Sequence, residues 1–206
     1  MFTGIIQAVG KIAQSQARDQ DVRLSIATGG LDLSDVQLGD SIAVNGVCLT
    51  VIAKHATSFD VDVSAETLRC TIGFELDGAV NLEKALRLAD RLGGHLVSGH
   101  VDGVGAEQRF AQTGDCYLLE VAAPNGLARY IAPKGSITIN GVSLTVNQVQ
   151  GDAFQVNLIP HTLEMTTLNT LAPGSRVNLE VDLLARYAER LLHYTATSPG
   201  SESDSR

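Results

Sequence analysis

The chain contains no tryptophan, and aromatic residues make up only 4% of its 206 positions. Its core must therefore be aliphatic, and it lacks the stacking rings of a single-stranded nucleic-acid binder. Positive charge is also scarce. Fifteen Lys and Arg stand against 23 Asp and Glu, for a net charge of −8. That balance excludes the basic surface needed for nucleic acid or an anionic membrane. No run approaches the roughly 20 apolar residues of a membrane span. The three cysteines, Cys48, Cys70 and Cys116, show no CxxC spacing. Neither a disulfide framework nor a structural zinc site is expected, and a reducing cytoplasm fits best. Cys70 and Cys116 read as packing residues. The opening MFTGIIQAVGK lacks a basic region followed by a long apolar run, so no signal peptide is expected. Glycine, in contrast, is plentiful at 20 residues, which suits tight turns between strands.

The chain repeats itself. SIAVNGVCLTV (41–51) returns as SITINGVSLTV (136–146), shifted by 95 positions. The same shift aligns Glu66-Thr67-Leu68 with His161-Thr162-Leu163, and residues 3–10 with 98–105. Val80-Asn81-Leu82-Glu83 returns as Val177-Asn178-Leu179-Glu180 with a shift of 97, which implies a small insertion. The chain thus reads as two homologous modules, 1–95 and 96–184, followed by a tail over 185–206. The period is far too long for a solenoid.

Each module reads as all-β. Asn45-Gly46 and Asn140-Gly141 lie between alternating segments, the pattern of a tight hairpin whose turn residues need positive φ. Further strands are predicted near 21–27, 59–63, 117–122 and 154–159, and short helices at 83–92 and 126–131. Many short strands with Gly-rich turns suggest a small antiparallel barrel or sandwich. From Asp182 to Tyr194, Leu184, Tyr187 and Leu191, flanked by Leu183 and Ala188, fall at helical spacing. This helix either docks on its own barrels or packs with copies of itself, and the second reading is favoured. The final TATSPGSESDSR reads as disordered.

Strand alternation puts Val47, Leu49 and Val51 on one face and Cys48 and Thr50 on the other. The second module splits the same way, with Ser143 and Thr145 outward. Such small polar residues leave room for a flat ligand and offer it hydrogen bonds. Strand propensity alone also explains a threonine, but the recurrence favours a pocket in each module. The modules differ at matched positions: Ile5 and His100, Gly39 and Lys134, Cys48 and Ser143, Ser64 and Ile159, Glu66 and His161. A symmetric scaffold with asymmetric polar groups would treat two similar molecules differently. Cys48 is a nucleophile only with a lowered pKa; the simpler reading is a small buried hydrophobe. His95 and His100, five apart, lie on opposite faces of a strand and lack a third ligand, so metal is not expected. One of the two as general acid or base is credible. Lys134 holds an anionic or carbonyl group or is simply solvated. Glu180 and Asp182 are read as acids that open the tail helix and complement its dipole.

Met1-Phe2-Thr3-Gly4-Ile5-Ile6, the two Asn-Gly-x-(Cys/Ser)-Leu-Thr-Val hairpins, Glu66-Thr67-Leu68, Gly93-Gly94-His95 through Gly103, and Ile159-Pro160-His161-Thr162-Leu163-Glu164 together resemble riboflavin synthase, the duplicated lumazine-binding type. The likeness covers about residues 1–190. It implies two six-stranded Greek-key β-barrels in tandem with a C-terminal α-helix that assembles a homotrimer. It implies dismutation of two 6,7-dimethyl-8-ribityllumazine molecules to riboflavin and 5-amino-6-ribitylaminouracil, with no cofactor and no metal. The active site would form between the first barrel of one subunit and the second barrel of a neighbour. One pocket would use Gly4, Ile5, Ile6, Val47, Cys48, Leu49, Thr50, Asp62, Val63, Ser64, Ala65, Glu66, Thr67, Gly99, His100 and Val101. The other would use Lys134, Ser143, Leu144, Thr145, Ile159, Pro160, His161, Thr162, Leu163 and Glu164. Phe2, Thr3, Cys48, His100 and Ser143 match positions associated with catalysis. Asn140 departs from the Asp that some relatives carry. The resemblance leaves open which barrel holds the donor, what the nucleophile is, and whether the protein associates with lumazine synthase. The rival reading is a non-catalytic lumazine- or flavin-binding antenna protein.

Overall fold

A computed structural model describes residues 1–197. Twelve antiparallel strands form two closed barrels. In the first, β1 (Ala8–Arg18), β2 (Asp21–Ala27), β3 (Ser41–Val44), β4 (Val47–Lys54), β5 (Ser58–Val63) and β6 (Ala79–Lys84) close in the order β1-β2-β5-β4-β3-β6. A short helix α1 (Ala65–Cys70) follows β5. The second barrel uses β7 (Gly103–Thr113), β8 (Cys116–Ala122), β9 (Ser136–Ile139), β10 (Val142–Gln150), β11 (Ala153–Leu158) and β12 (Arg176–Val181), with α2 (Pro160–Met165) after β11. Its circular order, β7-β8-β11-β10-β9-β12, repeats the first. Helix α3 (Leu183–Thr197) follows. No helix among the described residues is long and apolar enough to cross a membrane.

Alternation fills the barrels as expected. Val47, Leu49 and Val51 in β4, and Val142, Leu144 and Val146 in β10, are buried in separate aliphatic cores. Phe59 and Phe154, matched across the repeat, are the largest side chains in those two cores. The strands predicted near 21–27, 59–63, 117–122 and 154–159 are β2, β5, β8 and β11.

The helix predicted over 83–92 does not form. Glu83 and Lys84 belong to β6, paired with Ala43 and Ile42. The residues beyond make turns, with the Asp90 carboxylate accepting the Arg87 N–H at 2.9 Å. Leu88 is wholly exposed, so the segment has no surface on which an apolar helix face could settle. The helix predicted at 126–131 shrinks to a single 3₁₀ turn, Ala128–Tyr130, because Leu127 and Ile131 on either side are drawn into the barrel. The disorder read for TATSPGSESDSR is corrected for 195–197, which continue α3; residues 198–206 lie outside the described part.

The barrels meet at their Asn-Gly hairpin turns. Asn45 and Asn140 adopt φ of 48° each, and Gly46 and Gly141 adopt 82° and 81°. A Cβ on Gly46 would stand 2.8 Å from the Gly141 nitrogen, and one on Gly141 would stand 2.7 Å from the Gly46 nitrogen. Around this contact the Asn81 amide donates to the Asn140 carbonyl at 2.9 Å, and the Asn178 amide donates to the Asn45 carbonyl at 3.0 Å. The Asn45 and Asn140 side chains in turn accept the Asn81 and Asn178 backbone N–H groups, each at 2.8 Å. Asn140 is therefore a junction residue. An amide is needed there for the same reason as at Asn45: it tolerates the left-handed turn and accepts a strand N–H.

Gly46→Ala should lower stability by more than the roughly 1–2 kcal/mol of a left-handed non-glycine residue alone. Gly151→Ala is the control, since Gly151 has φ of 59° with nothing near its Cβ position. Urea unfolding of both variants gives the comparison; equal losses would show that the turn-to-turn approach carries no cost.

Candidate functional site

Two crossing segments define the site. Phe2 pairs antiparallel with Val97, the Phe2 N–H donating to the Val97 carbonyl at 2.8 Å and the reverse bond measuring 3.1 Å. From this bridge the chain ends diverge to opposite barrels. The Gly4 carbonyl accepts the Ser143 N–H at 2.8 Å, while the Gly99 carbonyl accepts the Cys48 N–H at 2.8 Å. A Cβ on Gly4 would lie 2.6 Å from the Ser143 Cβ, and one on Gly99 would lie 2.7 Å from the Cys48 Cβ, so each contact requires glycine. Ile6 packs on the second core and Val101 on the first. Residues Gly4 to Ile6 thus belong with Ser143, a correction to their placement beside Cys48. Each barrel supplies a wall to the other's polar face.

Buried carboxylates hold these segments. Glu83 Oε1 accepts the Thr3 N–H and the Thr3 hydroxyl, each at 2.7 Å, and Oε2 accepts the Gly4 N–H at 2.9 Å. Glu180 does the same for Ser98 and Gly99, at 2.6, 2.7 and 3.0 Å. Burial pushes the Glu83 carboxyl above its ordinary value against the pull of those donors. Glu180 is therefore not a helix-opening acid, because its strand places it inside. Asp182 fits that reading: it accepts the Leu184 N–H at the start of α3.

The expected site residues divide by exposure. Phe2 is fully enclosed among Ala43, Val97, Cys48 and Ala85, and Thr3 is buried on Glu83. Val47, Leu49, Val63 and Leu144 point into the barrels, so only their backbones border the outer face. Cys48 and Ser143 are half-buried; Thr50, Thr145, His100 and Lys134 are exposed. Lys134 has φ of 68°, at the position where the first module has Gly39 with φ of 94°. Asp62 is held by a two-pronged bond from Arg23 at 2.8 Å, which keeps its carboxyl below the usual range. Ser64 caps α1 by accepting the Thr67 N–H, with Ala65 as the first residue of that helix. Glu66 binds Arg69, and its carboxyl is lowered by that contact and by the Cys70 thiol. Cys70 is thus half-exposed with its thiol on Glu66. In the second module, Pro160 opens α2. Ile159, Pro160, His161 and Glu164 are exposed there, and Thr162 and Leu163 half-buried.

Two hollows flank these segments at matched positions. One, of about 510 Å³, is lined by Thr3, Ile5, Gln7 and Glu83. The other, of about 330 Å³, is lined by Ser98, His100, Asp102, Glu180 and, from α3, Arg186. Gln7 Oε1 accepts the Lys84 N–H at 3.0 Å, and Asp102 Oδ2 accepts the Val181 N–H at 2.7 Å, a further matched pair. Neither hollow includes Cys48, Thr50, Ser143 or Thr145. Those outer faces are open to solvent within one chain, with Thr50 and Thr145 exposed.

The sequence reading left His95 undecided beside His100. The structure sets His95 Nδ1 at 2.8 Å from Ser143 Oγ, buries the ring, and leaves Nε2 without a hydrogen-bond partner among the described residues. Burial lowers its pKa, opposed by the charge of Asp182. The roles of Glu83, Glu180 and the four junction asparagines were also missed, although the repeated Val-Asn-Leu-Glu and Asn-Gly had marked them.

The chain matches the lumazine binding domain family twice, over residues 3–85 and 98–182. The riboflavin synthase of Photobacterium phosphoreum is 46% identical over 194 residues, covering 93% of this chain and 89% of that protein. The riboflavin synthase of Mycobacterium tuberculosis strain H37Rv is 46% identical over 198 residues, covering 93% and 98%. A crystal structure of LumP complexed with riboflavin superposes with a TM-score of 0.79 at 30% identity, covering 88% of this chain and 99% of that one.

A group whose neutral form the fold favours loses stability on acidification, as the unfolded chain takes up a proton near its ordinary value of about 6.5. Between pH 7 and pH 5, His95→Asn should therefore lose less stability than the unsubstituted protein. Urea midpoints at the two pH values measure this, and identical losses would show that His95 is not held neutral.

Proposed function

The chain belongs to the riboflavin synthase family, and from that premise we propose that it converts two molecules of 6,7-dimethyl-8-ribityllumazine into riboflavin and 5-amino-6-ribitylaminouracil. The observation that supports this best is the survival of both polar faces, Cys48 with Thr50 and Ser143 with Thr145, on barrels of identical strand order. A protein that only stored one ligand would need one such face. The identities of 46% to riboflavin synthases, against 30% to LumP, favour the enzyme over the antenna reading.

The chemistry asks little of a protein beyond placement. The C7 methyl of the lumazine is acidic because its carbanion spreads into the ring system. One lumazine yields a four-carbon unit to the other and leaves as the diaminouracil. Holding two reactants in register can supply roughly 7–11 kcal/mol. Cys48 and His100 on one face and Ser143 on the other make the two rings inequivalent, so one is donor and the other acceptor. We expect riboflavin absorbance to appear when the protein is mixed with the lumazine alone. Cys48→Ser and His100→Ala should slow it while the assembly stays intact. Turnover within about twofold of the unsubstituted rate in both variants would remove these residues from the reaction.

Helix α3 supports assembly into a homotrimer. It docks on its own barrel through polar contacts: Arg186 on Asp102, the Tyr130 hydroxyl on Glu189, and Arg129 on Glu189 at 3.0 Å. Arg129 and Arg186 also stack on the Tyr130 ring, 5.0 and 5.6 Å from its centre. Leu184 and Tyr187 are left 71% and 63% exposed. Helices with their apolar stripe turned outward gain by packing on copies of themselves. That assembly would bring a first-barrel face of one chain against a second-barrel face of another. The free thiols of Cys48, Cys70 and Cys116 suit the reducing cytoplasm. The double variant Leu184→Asp, Tyr187→Asp should sediment as a monomer with little synthase activity; an active monomer would overturn the shared site.

A further inference from the structure

His95 is bound at two points. Its N–H donates to the Thr3 carbonyl at 3.1 Å, its Nδ1 meets Ser143 Oγ at 2.8 Å, and its Nε2 is buried without a partner among the described residues. The adjoining Gly94 has no side chain because a Cβ there would lie 2.1 Å from the Thr3 carbonyl and 2.8 Å from Ser143 Oγ. The backbone is therefore drawn tight around this one imidazole. A neutral imidazole carries a single proton, and two placements are open to it. With the proton on Nε2, a buried N–H would have no acceptor, which is the rarer and costlier orphan. With the proton on Nδ1, only a lone pair goes unmatched, and Nδ1–H donates to Ser143 Oγ. The serine oxygen then spends an acceptor site on His95. Its backbone N–H is already committed to Gly4. The hydroxyl proton must then point away from His95, and the outer face that Ser143 shares with Thr145 is a side open to it.

We propose that His95 is a positioning residue that fixes the Ser143 hydroxyl as a hydrogen-bond donor to a ring oxygen or nitrogen of the ligand in the second barrel's face. This rests on the riboflavin synthase reading for the identity of that ligand. The first barrel has a thiol at the matched position, Cys48, whose Sγ receives no imidazole bond among the described residues. The two faces thus differ in what they can offer: a directed hydroxyl donor on the second, a weak thiol donor on the first. The donor sets which lumazine is held by its acceptor atoms, and so helps assign the two rings their roles.

The test is a double-substitution cycle on the full chain, with circular dichroism confirming the fold of each variant. His95→Ala should cut kcat/KM for the lumazine about tenfold, as expected for a lost oriented hydrogen bond. In a Ser143→Ala background the same change should cost less than about twofold. Asn places an amide donor near the Nδ1 position, whereas Gln places it near Nε2. His95→Asn should therefore restore most of the rate and His95→Gln should not. Equal losses with and without Ser143, or equal rates for the Asn and Gln variants, would overturn the proposal. Fluorescence titration with the lumazine supplies a readout without turnover: His95→Ala should weaken one of two binding phases and leave the other. If the unsubstituted protein binds the lumazine but forms no riboflavin, the synthase reading fails, and the titration still decides the role of His95. Weakening of both phases alike counts against it.

Discussion

The contact between two glycine turns governs the rest of this molecule. Gly46 and Gly141 approach so closely that neither could carry a methyl group, and each sits at a positive φ that glycine adopts without strain. Four asparagines close the junction: the Asn81 and Asn178 amides each donate to the opposite barrel, and each is held in its own barrel by the Asn45 or Asn140 side chain. Buried amides are costly unless every donor and acceptor is matched. Here the matching spans the interface, so the two barrels share one polar network and one relative orientation. Thr167 extends it, donating its N–H to Asn81 at 2.8 Å. Ile72 donates likewise to Asn178 at 2.9 Å.

That fixed orientation gives the crossing segments their meaning. Gly4 can reach Ser143, and Gly99 can reach Cys48, only because the barrels face each other about an approximate twofold relation. Glu83 and Glu180 then anchor the two turns from inside. Backbone and carboxylates keep the symmetry nearly intact. The differences include side chains that face outward: Cys48 against Ser143, Ile5 against His100, Gly39 against Lys134. Lys134 keeps the left-handed backbone that glycine supplies in the first module, at a cost of about 1 kcal/mol.

The legible parts of the sequence were those governed by local rules. Asn-Gly between alternating runs marked the hairpins, and period-two alternation sorted Val47, Leu49 and Val51 inward and Cys48 and Thr50 outward. The repeat fixed the number of modules. The errors arose where long-range contacts decide. Residues 83–92 have helical composition, yet Glu83 is drawn into β6 by donors 79 and 80 positions away. Gly4 to Ile6 were grouped with Cys48 through the family resemblance, and no local signal records that they cross over. His95 escaped for the same reason: its partner Ser143 lies 48 positions on.

The distribution of polarity on α3 completes the physical picture. An isolated domain would turn Leu184 and Tyr187 toward its barrel and leave Arg186 and Glu189 in water. This chain does the reverse, tying Arg186 to Asp102 and Glu189 to Tyr130. Asp102 also accepts the Val181 N–H and follows His100 and Val101 in sequence. The helix whose apolar stripe is turned outward is thus held by the loop that borders the Cys48 face. That face and its Ser143 counterpart are open to solvent within one chain. Flat heterocycles gain little from an open face, because most of their apolar surface would stay wet. In the proposed trimer a second copy would supply the missing wall, and Asp102 links the helix that would bring it there to the loop that carries His100.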